Sequence, residues 1–153
     1  MKEYYDILKR TEARPAMWTG ELTLKSIRTF LDGYSYAFIE NKLDDQSGSN
    51  ELDFHDWIAA KLGFNESTAG WQNMILAYTI GLDPKNIRWE AYDIGISKEL
   101  QEKSIKQFYA LLEEIVDLPC EEQRAILDER FENWRGTTDD QIDDVLVMGI
   151  RIE

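Results

Sequence analysis

Apolar residues recur at spacings of three and four along most of this chain, and polar, proline or glycine punctuation separates the periodic stretches. Leu24, Ile27, Leu31, Tyr34 and Phe38 fall on one helical face, with Phe30 and Ala37 beside them. Such a stripe predicts an amphipathic helix, capped by the Thr23 hydroxyl and running to about Lys42. Before it, Lys2 to Thr11 carries Tyr4, Tyr5, Ile7 and Leu8 and reads as a helix. Arg14-Pro15 ends that helix, because a residue preceding proline is pushed out of helical geometry, and a short loop runs to Gly20. The polar run from Asp44 to Asn50 predicts a loop. Asp53 can cap a third helix bearing Phe54, Trp57, Ile58 and Leu62, with Gly63 as its stop. Ser67 or Thr68 can cap a fourth, with Trp71, Met74, Ile75 and Tyr78 on one face and Gly81 at its end.

After Asp83-Pro84, which starts a turn or a new helix, the pattern becomes ambiguous. Ile87, Trp89, Ala91, Ile94 and Ile96 alternate in part, so residues 86–98 fit a short strand or a helix equally well. Ser97 then caps a long helix carrying Ile105, Phe108, Leu111, Leu112, Ile115 and Val116. Beyond Pro119 a further helix is expected from about Glu121, with Ile126, Leu127, Phe131 and Trp134 inward and Gly136 as its stop. From Thr138, Ile142, Val145, Leu146 and Gly149 keep helical spacing while Met148, Ile150 and Ile152 alternate, which reads as a short helix running into an extended end. The sum is a mainly all-α chain, a single domain over residues 1–153. It is expected to be a compact bundle of six or seven helices, with room for one short strand or the extended C-terminal end. The acidic segment 119–153 is expected to pack on it.

Composition narrows the class. Hydrophobic residues make up 43% of 153 residues, enough for one packed core without disulfides or metals. The opening MKEYYDILKR is too polar for a signal peptide, and no apolar run approaches the roughly 18 residues of a membrane helix. A cytoplasmic location is therefore expected, and Cys120, the only cysteine, fits a reducing compartment. The net charge of −13 disfavours nucleic acid and anionic lipid as partners and favours basic proteins. The excess is uneven: residues 1–112 hold 17 acids and 13 bases, and residues 113–153 hold 13 acids and 4 bases. Such asymmetry marks the last quarter as a candidate interaction segment.

Catalytic chemistry finds few residues. His55 is the only histidine. On a helix, Asp53, His55 and Asp56 do not converge on one point, so an ordinary surface or half-buried histidine is expected. Cys120 sits among acids, which raise a thiol's pKa and lower its reactivity. Neither a glycine-rich phosphate loop nor a His/Cys metal spacing occurs. Carboxylate pairs are plentiful, among them Glu113-Glu114, Glu121-Glu122, Asp139-Asp140 and Asp143-Asp144. Asp139, Asp140, Asp143 and Asp144 would share one helical face near a helix N-terminus, where acids are favoured. The tryptophans, at 18, 57, 71, 89 and 134, are expected to pack in the core, with Trp89 and Trp134, flanked by charges, as candidates to face a partner.

The loop Arg14-Pro15-Ala16-Met17-Trp18-Thr19-Gly20 is followed by Leu24, Ile27, Phe30, Leu31, Gly33 and Tyr34. Next come Phe54-His55-Asp56-Trp57-Ile58 and Gly70-Trp71-Gln72-Asn73-Met74-Ile75. In this order the chain resembles the small acidic immunity proteins of bacterial polymorphic and contact-dependent toxin systems, over roughly residues 10–116. The resemblance implies a protein that binds a cognate toxin domain in the producing cell and neutralises it; the scarcity of catalytic motifs in the residues themselves leads to the expectation of no catalysis and no cofactor. The resemblance supplies no set of contact residues.

From the charge pattern, a basic nuclease is the expected toxin, and Glu121, Glu122, Asp139, Asp140, Asp143 and Asp144 are the expected steering or contact acids, with Trp134 as an anchor. Two rival readings of the sequence remain open. One is an acidic regulatory or scaffold module for a cellular protein unrelated to toxins, and the other is an enzyme using carboxylates and a divalent metal.

Overall fold

The computed structural model describes residues 2–41, 50–64, 69–89, 92–117 and 125. Among them the chain forms α1 (Lys2–Glu12), α2 (Pro15–Thr19), α3 (Leu24–Glu40), α4 (Asn50–Leu62), α5 (Trp71–Thr79) and α6 (Lys98–Asp117), and no strand occurs. The chain is mainly helical, as its periodicity predicts. All of segment 119–153 except residue 125 lies outside the described residues, and so does its expected packing.

Helices α5 and α6 form the hub: α5 touches α3, α4 and α6, and α6 also touches α1, α3 and α4. The sequence of α5 explains its position. Trp71, Met74, Ile75, Leu76 and Ala77 are all buried, and a helix apolar on most of its circumference must be enclosed. Against it α4 sets Phe54, Trp57, Ile58 and Ala59, and α6 sets Ile105, Phe108, Leu112 and Ile115. The rings of Trp71 and Phe108 stack with centroids 4.9 Å apart, and Phe54 meets both edge-on at 5.6 and 6.0 Å. Such pairs add roughly 0.5–1.5 kcal/mol each beyond burial.

Helix α1 lies along α6. Thr11 is buried; its hydroxyl donates to the Leu8 carbonyl at 2.7 Å and lies 3.0 Å from the Tyr109 hydroxyl. Burial pushes the Tyr109 phenol above its ordinary pKa, against the opposing pull of Thr11. The Glu113-Glu114 pair is divided between neighbours: Lys9 of α1 bonds Glu113, and Lys61 of α4 bonds Glu114. These carboxylates tie helices together on the outside of the bundle.

The helix ends follow the expected chemistry. The Thr23 hydroxyl accepts the Ser26 amide at 3.1 Å, and the Ser97 hydroxyl accepts that of Leu100 at 3.3 Å. Gly63 and Gly81 adopt φ of 77° and 80°. Phe64 and Leu82 then return their amides to Ala59 and Ala77 at 2.9 and 3.0 Å, the Schellman closure that left-handed glycine permits. Asp83 starts a turn by accepting the Lys85 amide at 3.0 Å and the Asn86 side chain at 2.9 Å. Those two bonds hold its carboxyl below the usual carboxylate range.

Several expectations are corrected. Residues 15–19 form a single helical turn, not a loop, because Pro15 occupies the first helical position, where its fixed φ suits a helix and its missing N–H costs nothing. Helix α4 begins at Asn50, ahead of Asp53. Helix α5 begins at Trp71 with Gly70 at its N-cap and no side-chain cap bond. Residues 86–89 and 92–97 are neither strand nor helix. They are held by side chains: Trp89 packs on Phe64 and Tyr92, and the Tyr92 hydroxyl donates to the Asn73 side chain on α5. Burial, helped by Asp93, raises the Tyr92 phenol well above the ordinary tyrosine value.

Candidate interaction surface

The apolar stripe of α3 is buried only at Leu24, Ile27 and Leu31. Beyond Leu31, Tyr34 and Phe38 stay half-buried with rings 4.9 Å apart, and Tyr36 and Ile39 are exposed. That end of α3 leads into residues 42–49, which lie outside the described residues.

A better-defined surface stands at the corner between α1 and α3, where α2 touches both. Its backbone is bonded at each end. The Arg14 amide donates to Thr11 and the Met17 amide to Arg14, both at 3.1 Å, and the amide of left-handed Gly20 returns to Ala16 at 2.9 Å. The Thr19 hydroxyl lies 3.1 Å from the Pro15 carbonyl and 2.7 Å from that of Glu21. The Ser26 hydroxyl, in the first turns of α3, lies 2.8 Å from the Thr23 carbonyl, 2.9 Å from that of Glu21 and 3.3 Å from the Thr19 hydroxyl. This network fixes α2 on α3.

No residue of α2 is buried. Met17 is 68% exposed and Trp18 45%, so the expectation of a core role for Trp18 is overturned. A single turn bracketed by Pro15 and Gly20 is too short for Trp18 to join an apolar stripe like those of the longer helices. Arg10 near the end of α1, Arg14 at the start of α2 and Lys25 at the start of α3 are exposed and form no ion pair with another described residue. An aromatic ring, a thioether and a guanidinium on a rigid support are the chemistry of an interface anchor. Periodicity gives no signal for this site. The bracketing Pro and Gly around two large apolar residues are the sign that it could have been found.

The other tryptophans divide. Trp57 and Trp71 are buried, and Trp89 is half-buried against Phe64 and Tyr92, which ties it to the fold. The predicted contact residues Glu121, Glu122, Trp134, Asp139, Asp140, Asp143 and Asp144 lie outside the described residues, as does Cys120. His55 is half-buried on α4. Among the described residues, no three His, Cys, Asp or Glu side chains gather closely enough to hold a metal ion, and no helix is long and apolar enough to cross a membrane. Comparison of the chain with protein-family models, curated proteins and solved structures gives no match.

Proposed function

We propose that this protein works by binding another protein, and specifically that it is an immunity protein of a bacterial toxin system. It binds the effector domain of a cognate toxin, a basic nuclease, and occludes the active cleft or a surface beside it. The observation that carries the partner-binding reading is the fixed, exposed pair Met17 and Trp18 beside Arg14. Exposed aromatic, Met and Arg side chains are the groups that dominate binding energy at protein interfaces. The toxin reading is supported by the resemblance of residues 10–116 and by the acid excess of residues 113–153. An acidic inhibitor competes with nucleic acid for a phosphate-binding cleft and gains on-rate from the opposite field. A cytoplasmic location belongs to the same proposal, since the producing cell is protected from within.

The test is capture of the tagged full-length protein from its native cell, followed by expression of the captured domain alone. The expected result is a domain that arrests growth and is neutralised by co-expression of this protein. Trp18→Ala should weaken capture at least tenfold, about 1.4 kcal/mol. Charge reversal at Asp139, Asp140, Asp143 and Asp144 should slow association and flatten its salt dependence. Capture of harmless housekeeping proteins alone would instead support the regulatory or scaffold module.

A further inference from the structure

We infer that the α2 corner docks an acidic, apolar-bearing segment of the partner protein. The inference rests on the partner-binding reading and adds the chemistry of the docked segment. In a chain of net charge −13, residues 9–28 run the other way: Lys9, Arg10, Arg14, Lys25 and Arg28 stand against Glu12 and Glu21. Lys9 is held by Glu12 at 2.9 Å and by Glu113, and Arg28 by Asp32 at 2.8 Å. Among the described residues Arg10, Arg14 and Lys25 form no ion pair, and Glu21 is the acid that stands with them in this stretch.

Two of these charges stand on segments that border the apolar ledge. Arg14 is the N-cap of α2, four residues before Trp18. Lys25 precedes Ser26, whose hydroxyl is 3.3 Å from that of Thr19 on α2. A segment laid over Met17 and Trp18 lies on a helical turn bordered in the chain by Arg14 and packed on the helix that carries Lys25. Carboxylates flanking an apolar side chain satisfy all three, since charge-assisted bonds to Arg are the stronger kind. Screening over about 10 Å at 0.1 M salt lets this corner act locally. The whole molecule's charge predicts the opposite preference, so the two are experimentally separable.

The experiment titrates full-length protein into a short fluorescein-labelled peptide in which glutamates alternate with leucine and phenylalanine, and reads anisotropy. A matched peptide with lysine for glutamate is the control. The acidic probe should bind, and the lysine probe should bind at least tenfold more weakly. The double variant Arg14→Glu/Lys25→Glu, and separately Trp18→Ala, should each weaken the acidic probe tenfold or more while circular dichroism keeps its helical signal. Absence of binding overturns the inference, as does a preference for the lysine probe or indifference to these variants. A single-stranded oligonucleotide that binds more tightly with the same sensitivities would reassign the corner to nucleic acid. Binding that appears only after Asp139, Asp140, Asp143 and Asp144 are changed to Asn would assign it to the chain's own acids. If toxin rescue succeeds while the acidic probe fails, this inference falls alone.

Discussion

Two tryptophans in this protein are handled in opposite ways. Trp71 opens α5, is 1% exposed and stacks on Phe108 at the centre of the bundle. Trp18 stands on a single turn, nearly half in water, with its support held by backbone and hydroxyl bonds. The hub is held by area and shape, whereas the corner is held by hydrogen bonds around a left-handed glycine and a proline. Exposing a large ring forgoes roughly 2 kcal/mol of burial, a cost a fold accepts most readily where a partner will cover it.

The largest expected effect tests that division directly. Trp71→Ala should destabilise the protein by about 3–5 kcal/mol, as truncation of an aromatic core residue does, read from urea unfolding. Trp18→Ala should cost less than about 1 kcal/mol. Comparable costs would mean that α2 is part of the core and would remove the corner as a free surface.

A middle-sized effect compares the supports. Gly20 and Gly63 have φ of 78° and 77°, and an added Cβ would meet nothing within 4 Å at either. Alanine at each should therefore cost about 1–2 kcal/mol of backbone strain alone. Gly20→Ala should in addition weaken partner capture, whereas Gly63→Ala should leave it unchanged at temperatures well below unfolding.

The smallest effect sharpens the account of the loop that closes the hub. Tyr92 has its phenol pKa raised by burial. The folded state thus holds a proton that the unfolded state releases near the ordinary value of about 10. The associated stability is complete below that value and falls as pH rises through the folded one. Urea midpoints between pH 8 and about 11 should decline, and Tyr92→Phe should flatten the decline. A residual slope should persist, because Tyr109 and Lys9 are also raised, Lys9 chiefly by its bond to Glu113. An unchanged slope in Tyr92→Phe would show that the phenol is solvated and the loop open.

Most of the fold was legible because helices announce themselves locally. The stripe from Leu24 to Leu31, the caps at Thr23 and Ser97 and the stops at Gly63 and Gly81 depend on residues three or four positions apart, and all appear where the pattern placed them. The loop after Asp83 was not legible, because Trp89 and Tyr92 are placed by Phe64 and Asn73, distant in sequence. The outer half of α3 misled for a related reason: a stripe records which face is apolar but not how far the core extends to meet it.

The sequence by itself determined a mainly helical chain, the ends of several helices and a strong acid excess, since periodicity, capping and charge are local or additive properties. Only the tertiary structure decided that α5 and α6 form the hub, that Glu113 and Glu114 belong to Lys9 and Lys61, and that Trp18 faces water while Trp71 does not. Each of those depends on which helix surfaces meet, and burial is a property of the pair of surfaces in contact, not of either strand of sequence alone.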